Sequence, residues 1–342
     1  MFEIKAIQAE HGDALLVTYG EPNEPRHLLI DGGPGGTRAN LVKVLEDSKK
    51  GDRLRLEVLI VTHYDLDHIQ GIIELLTDKP QWLEIDDIWF NGHRHLHSPD
   101  RLGSRDGDAL STLIQNGRYR WNGAFNGSAI RQDSPPVILP GDLCVYVVSP
   151  DSDGLTDLAS EWTDPNVVPG VASPPGDLLG RGDPWPPLAF SAQLSKDRFE
   201  ADTSVPNGSS IALVLSCGGR RLLLAADAYA SVVSAGMALH FPAGTDIHLM
   251  KVSHHGSKAN TDRTLLNLLQ CRRFLISSSG KIHKHPDNLL IARLLEADNH
   301  PDLIFNYAVE HTTRWRDELP MSWPRFNAIY PDNENSFVRI DV

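Results

Sequence analysis

The densest chemistry in the chain lies in the run Thr62-His63-Tyr64-Asp65-Leu66-Asp67-His68, where His63, Asp65, Asp67 and His68 fall within six positions. Two imidazoles and two carboxylates on a loop can turn toward a common point, because a loop releases them from the two-sided order of a strand. Mixed nitrogen and oxygen donors suit divalent cations, so one or two bound ions are expected there. The alternative is a solvated acidic loop with incidental histidines. The metal reading is favoured by what precedes the loop: Leu56–Val61 is a continuous apolar run of the kind that forms a buried strand, and it carries the cluster to that strand's C-terminal end.

The elements that must position this loop read as a mixture of strands and helices. Strands are expected at Glu3–Ile7, Ala14–Thr18, Leu28–Ile30 and Ile85–Phe90, then at Leu143–Ser149, Ile211–Cys217, Arg221–Ala225, Ile247–Val252, Phe274–Ser278 and Leu303–Asn306. Helices are expected over Asn40–Asp47, Ile69–Leu76, Tyr229–Leu239, Thr261–Leu269 and Asn288–Ala297. The class is therefore α/β (α+β), read as one elaborated domain over 1–342. Residues 151–206 are rich in Pro, Gly and Asp with little periodicity, and read as an insertion or lid over the site; a second insertion is expected around 92–131.

Composition narrows the function classes. A net charge of -13 disfavours a protein that coats nucleic acid non-specifically, while leaving room for a local basic groove. Three cysteines without paired spacing argue against a disulfide framework or a cysteine zinc site. The N-terminus has no leader-like apolar run and no stretch approaches the roughly 20 apolar residues of a membrane span, so a cytoplasmic protein without membrane contact is expected. The 15 histidines crowd around 63–68, 93–97, 254–255 and 283–285. His93, His95 and His97 alternate and would share one face if the preceding strand continued through them.

The HxDxDH pattern of His63–His68 resembles the metallo-β-lactamase superfamily signature HxHxDH, with Asp65 in place of the second histidine. That replacement resembles the nuclease-like domains of ComEC-type competence proteins. Further matches follow in order: His11-Gly12-Asp13-Ala14, Leu29-Ile30-Asp31-Gly32-Gly33, Asn207–Leu213, Leu223–Asp227, Lys251–Ser257 and Gly280–Pro286. The resemblance implies a four-layer αββα sandwich with the site at one edge. It implies that His63 and Asp65 hold a first metal, Asp67 and His68 a second, with Asp227 between them and His254 as a late ligand. His255 then reads either as a packing residue or as a ligand itself. The usual third ligand of the first metal has no match, and Asn207 lies near its place. Carboxylate for imidazole shifts preference from zinc toward harder ions such as manganese, and both Zn2+ and Mn2+ are carried forward.

The expected reaction is hydrolysis by a metal-bound hydroxide, with Asp67 or Asp227 orienting the water. His285 is expected to line the pocket as a proton donor or oxyanion partner, or else to cap the helix beginning near Pro286. Phosphodiesters, in DNA or a nucleotide, are the expected substrates. Between Gly92 and Arg131 six arginines (94, 101, 105, 118, 120, 131) face three aspartates (100, 106, 108), with Tyr119, Trp121 and Phe125 interleaved. Arg94, Arg118 and Arg120 are the expected phosphate contacts there, with the aromatics offering base-stacking faces, and Lys251 and Ser257 are further expected substrate contacts. A hydrolase of lactones, thioesters or β-lactam-like compounds, or a metal-stabilised pseudo-enzyme, are the alternatives.

Overall fold

Alternate residues of the apolar strands face two different cores, which is why these strands read as unbroken hydrophobic runs. In the first sheet, Ile4, Ala6, Leu15, Val17, Val58 and Ile60 point into one cluster while Ile7, Leu16, Leu59 and Val61 point into another. In the second sheet Leu222, Leu224, Leu249 and Leu275 join that same first cluster, and Leu223, Met250, Phe274 and Ile276 point into a third. The shared cluster is thus the seam between two sheets, and each outer cluster lies beneath helices. The structure, a computed structural model, describes residues 1–96, 105–163, 182–298, 300–332 and 336–342.

The chain begins with β1 (Phe2–Ile7), β2 (Leu15–Glu21), β3 (Glu24–Ile30), α1 (Arg38–Asp47), β4 (Leu54–Ile60), α2 (Leu66–Thr77), β5 (Leu83–Ile85), β6 (Ile88–Trp89) and α3 (Arg105–Asn116). It continues through β7 (Val137–Leu139), β8 (Leu143–Ser149), α4 (Ser152–Thr163), α5 (Phe190–Ser195), α6 (Val205–Gly208), β9 (Ala212–Cys217), β10 (Arg220–Leu224) and α7 (Ala230–His240). The last part holds β11 (Thr245–Asp246), β12 (Leu249–Lys251), α8 (Arg263–Leu268), β13 (Leu269–Gln270), β14 (Arg273–Ile276), α9 (Asn288–Ala297), β15 (Asp302–Phe305), α10 (Glu310–Asp317), β16 (Asn327–Ile329) and β17 (Phe337–Asp341). The first sheet runs β17-β1-β2-β3-β4-β5 with β6 also on β4, and the second runs β16-β15-β14-β12-β10-β9-β8-β7. Helices α1 to α4 cover the first sheet; α7, α8 and α9 cover the second. The result is the expected four-layer αββα sandwich.

In each sheet the strands leading to the site are parallel and in register. Ile30 pairs with Ile60, and Leu224, Lys251 and Leu275 align across β10, β12 and β14. Their C-terminal ends therefore release Asp31, Thr62, Ala225, Val252 and Ser277 along one edge of the sandwich, the usual location of binding crevices in parallel sheets. Ile211 N–H donates to the Thr62 carbonyl at 3.0 Å, tying the two sheets together at that edge.

Three expectations change. The region after residue 151 contains a full helix, α4, whose Leu155, Leu158 and Trp162 pack with the first sheet's outer core. The expected strand Ile85–Phe90 is split, because Asp87 turns its carboxylate to the backbone N–H groups of Gly123 and Ala124, each at 3.0 Å. The strand does not continue through His93 and His95, which lie in a single 3-10 turn after Gly92; His97 and Arg101 lie outside the described residues. Among the described residues no helix is long and apolar enough to cross a membrane.

Candidate metal centre

Close backbone approach brings the pieces together. A Cβ on Gly71 would overlap the Gly32 carbonyl, and one on Gly12 would overlap the Asp67 carbonyl, so both glycines let α2 and its leading loop press against the β1–β2 and β3–α1 turns. That contact puts Asp31 behind His68: its Oδ2 lies 2.8 Å from His68 Nδ1 and 2.8 Å from the Thr62 hydroxyl, and its Oδ1 accepts Thr62 N–H at 2.8 Å.

Four imidazoles have the same polarity. His68 Nδ1 faces the Asp31 carboxylate, and His255 Nδ1 donates to the Ser277 carbonyl at 3.0 Å. His254 Nδ1 lies 2.9 Å from Asn260 Oδ1 and 3.3 Å from Asp202 Oδ2. The Thr62 hydroxyl spends its hydrogen on Asp31, so His63 Nδ1, at 3.0 Å, must donate to it. Each Nδ1 is committed to an acceptor, which leaves each neutral ring with a lone pair at Nε2.

Those Nε2 atoms converge on carboxylates. His68 Nε2 and His255 Nε2 are 3.2 Å apart, at 3.4 and 3.5 Å from Asp227 Oδ2, and His254 Nε2 is 3.7 Å from the same oxygen. Asp67 Oδ2 stands 3.5 Å from His255 Nε2 and 3.9 Å from His68 Nε2. His63 Nε2 is buried without a hydrogen-bond partner, 3.5 Å from Asp65 Oδ2, and its ring lies 4.3 Å from that of His68. Asp227 Oδ1 and Asn207 Oδ1 are also buried and unpartnered. Lone pairs facing lone pairs and carboxylates repel one another unless a proton or a cation lies between them. In the bare protein protons must serve: burial opposes the imidazolium, but the surrounding aspartates outweigh it and hold His68 and His255 well above the ordinary histidine range. The donor set fits a divalent cation.

His68, Asp227, His255 and Asp13 form a compact potential ligand group. Asp13 nonetheless approaches His255 from the Nδ1 side, 3.5 Å away, and its other oxygen is ion-paired with Lys251. It backs the His255 ring as Asp31 backs His68, whereas Asp227 and Asp67 face the Nε2 atoms. Burial disfavours its charge, yet Lys251 and His255 keep the Asp13 carboxyl far below the usual range.

The two adjacent histidines reach one carboxylate because His254 and His255 both take left-handed backbone angles, φ 47° and 54°. Such angles are disfavoured for residues with a Cβ. Here they turn the β12 exit sharply enough that consecutive side chains swing to the same side. The sequence motif offered the pair but not this turn.

Of the residues singled out from sequence, His63, Asp65, Asp67, His68, Asp227 and His254 all lie in or against this cluster. His285 stands at its rim, with its ring 5.7 Å from His254 and Nδ1 3.3 Å from Asp287 Oδ1. Asp13, Asp31, Asp202, His255 and Asn260 complete the arrangement; the aspartates at 13 and 31 carried a signal in the His-Gly-Asp and Asp-Gly-Gly turns. Lys251 and Ser257 do not stand as substrate contacts. Both are buried, and the Lys251 ammonium is held by Asp13 and the Ala226 carbonyl, because β12 points it into the sandwich rather than out of it. Arg94, Arg118 and Arg120 are exposed; Arg94 lies over the Trp121 ring at 4.6 Å and Arg120 is 3.9 Å from Asp87. Trp121 and Phe125 are not free to stack on bases, since both are buried against Phe90 and Trp89 in the core.

Residues 9–108 match the family model described as the metallo-beta-lactamase superfamily. No curated protein matches the chain. Among solved structures, the metallo-beta-lactamase fold protein YhfI from Bacillus subtilis is 12% identical, covering 99% of this chain and 98% of its own, at a TM-score of 0.45. Zn(2+)-bound PqqB from Methylobacterium extorquens is 11% identical with full coverage of both chains at 0.45, and human tRNase Z, short form, is 11% identical at 0.40, covering 99% and 98%. These are distant likenesses from which no activity follows. The chain has the metallo-β-lactamase fold, and the part matched by the superfamily model, residues 9–108, is the part that carries the His63–His68 cluster.

Proposed function

We propose that the protein is a metal-dependent hydrolase of phosphodiesters, acting on DNA or a nucleotide. The observation that carries the reading is the convergence of imidazole Nε2 lone pairs on Asp227 and Asp67, each ring locked by an acceptor behind it. His68, His255, Asp227 and Asp67 would hold one divalent cation, and His63, Asp65 and the unpartnered Asn207 carbonyl offer places for a second. A cation so held supplies Lewis acidity and lowers the pKa of water bound to it. The mixture of imidazole and carboxylate donors suits Zn2+ or Mn2+.

The chain's own groups then divide the work. Asp67 lies at the border between the buried ligands and solvent, and although burial opposes its charge, His68 and His255 keep it ionised far below the usual carboxyl range. It accepts a hydrogen bond and orients the attacking water. His285, whose Nδ1 lies 3.3 Å from Asp287 Oδ1, would give a proton to the leaving oxygen. Lys251, buried between Asp13 and Asp227, offsets the carboxylate charge and keeps the ligand geometry fixed. Preference for phosphodiesters is supported by the exposed Arg94, Arg118 and Arg120, and by the HxDxDH variant, which resembles the nuclease-like domain of ComEC-type proteins.

The test is hydrolysis of bis-p-nitrophenyl phosphate and of labelled DNA by metal-stripped protein reloaded with manganese or zinc, beside Asp67→Ala. Turnover should depend on metal and fall by about a thousandfold in the variant, a loss of roughly 4 kcal/mol of transition-state stabilisation. Turnover that persists in the variant, or hydrolysis of carboxylic esters alone, overturns the reading; stoichiometric metal binding without any hydrolysis marks a binding module.

A further inference from the structure

A cavity of about 640 Å³ is lined by residues next in sequence to those at the metal centre and plays no part in the mechanism above. It shares the 279–285 loop with the centre: Lys281 and Lys284 line it while their neighbours His283 and His285 face the cluster, and Glu10 lines it beside His11. Trp185, Tyr307 and Arg314 also line it.

Its charges are unevenly satisfied. Lys281 pairs with Glu10 at 3.1 Å, and Glu318 accepts the Trp185 indole N–H at 2.8 Å. Lys284 and Arg314, by contrast, form no ion pair with a carboxylate among the described residues. Lys284 Nζ donates to the Lys281 carbonyl at 2.9 Å. Arg314 is stacked over Trp185, 4.3 Å from the ring centroid, with its Nε buried and unpartnered. Arg314 Nη2 comes within 3.4 Å of His311 Nε2, but that nitrogen already donates its hydrogen to the Lys284 carbonyl at 2.8 Å and has no lone pair to offer. Burial lowers the Arg314 pKa and outweighs the opposing pull of Asp183, Glu318 and Glu310, none of which forms an ion pair with it among the described residues. A stacked guanidinium with an unmet donor edge, beside an ammonium, is a receptor for a planar or tetrahedral oxyanion.

We infer that this cavity is a second subsite, in which Arg314 and Lys284 hold a further phosphate of a substrate whose scissile phosphodiester lies at the metal centre. The inference rests on the hydrolase reading and extends it: the substrate carries at least two phosphoryl groups, one cleaved and one used as a handle. Trp185 fixes the guanidinium plane, so the handle is selected by geometry as well as by charge.

The experiment compares two chromogenic diesters, thymidine 5′-(p-nitrophenyl phosphate) with and without a 3′-phosphate, on manganese-loaded protein. The 3′-phosphate should raise kcat/KM by about tenfold or more, mostly through KM. That preference should fall toward unity in Arg314→Gln and in Lys284→Ala, the second variant serving if the first does not fold. Equal kcat/KM for the two diesters, or a preference unchanged in both variants, overturns the subsite and leaves the hydrolase reading intact. If neither diester is hydrolysed the hydrolase reading fails, and calorimetric titration with thymidine 3′,5′-bisphosphate decides the subsite: binding weakened about tenfold by Arg314→Gln supports it, and undiminished or absent binding overturns it.

Discussion

The metal cluster and the basic segment around 92–131 are both crowded with polar side chains, but they differ in what those side chains still lack. In the cluster each ring is satisfied at Nδ1 and left bare at Nε2, and carboxylate oxygens of Asp227 and Asp13 are buried without hydrogen-bond partners. Among the described residues of the basic segment several polar groups meet partners close by. Arg131 meets Asp133, Arg94 covers Trp121, and Asn122 accepts Phe90 N–H while donating to the Ser128 carbonyl. A histidine count does not separate the two regions; the clustering of unmet hydrogen-bonding capacity does, because buried unsatisfied groups are costly and several of them facing one point ask for a ligand.

The difference can be pressed from both sides. Asp227→Asn and His255→Ala should each reduce kcat/KM by about a thousandfold and abolish the rise in melting temperature that manganese or zinc gives the stripped wild-type protein, since a ligand bound only by the folded state stabilises by mass action. An undiminished thermal shift in both variants would place the cation elsewhere. A smaller effect is expected of Arg94, Arg118 and Arg120 changed together to Ala: KM for DNA should rise by no more than about tenfold, with a shallower dependence on salt and little change in kcat. A collapse of kcat instead would make the segment part of the catalytic machinery.

The smallest effect concerns His95, which belongs to the basic segment and sits edge-on to Trp121 with ring centroids 4.7 Å apart. Burial, helped by the Arg94 charge, lowers its pKa to about 4. The unfolded chain, with an ordinary histidine pKa near 6.5, then binds more protons than the folded one between pH 6.5 and 4. Stability should therefore fall as pH drops through that window, by about 1 to 3 kcal/mol, and His95→Gln should flatten the fall. Urea melts at pH 7 and pH 4.5 measure it; identical losses in both proteins would show that His95 is not held neutral.

Much of this arrangement was legible in the sequence. The apolar run before Thr62 marked β4, and the alternation of ligand types after it marked the loop. The αββα layering followed from the resemblance and is visible in the two-core alternation of the strands. Helix α4 is masked in the sequence although Leu155, Leu158 and Trp162 stand three and four apart, because the Pro- and Gly-rich residues after it dominate the composition of its neighbourhood. The choice between His254 and His255 could not be read, since it depends on two successive left-handed residues that histidine does not advertise. Which ring each acid backs is hidden for another reason: Asp31 meets His68, and Asp13 meets His255, only after distant segments have packed.

That long-range closure has a consequence for how the protein is made. His68 and His255 touch across 187 positions of chain, and they come from different sheets. A nascent polypeptide emerging from the ribosome therefore presents His63 to His68 long before their counterparts exist, and an ion met at that stage finds only half a coordination sphere. If a cation is the ligand, its firm capture would await synthesis of β12 and docking of the second sheet, which would make loading a late checkpoint of assembly rather than a nucleus for it.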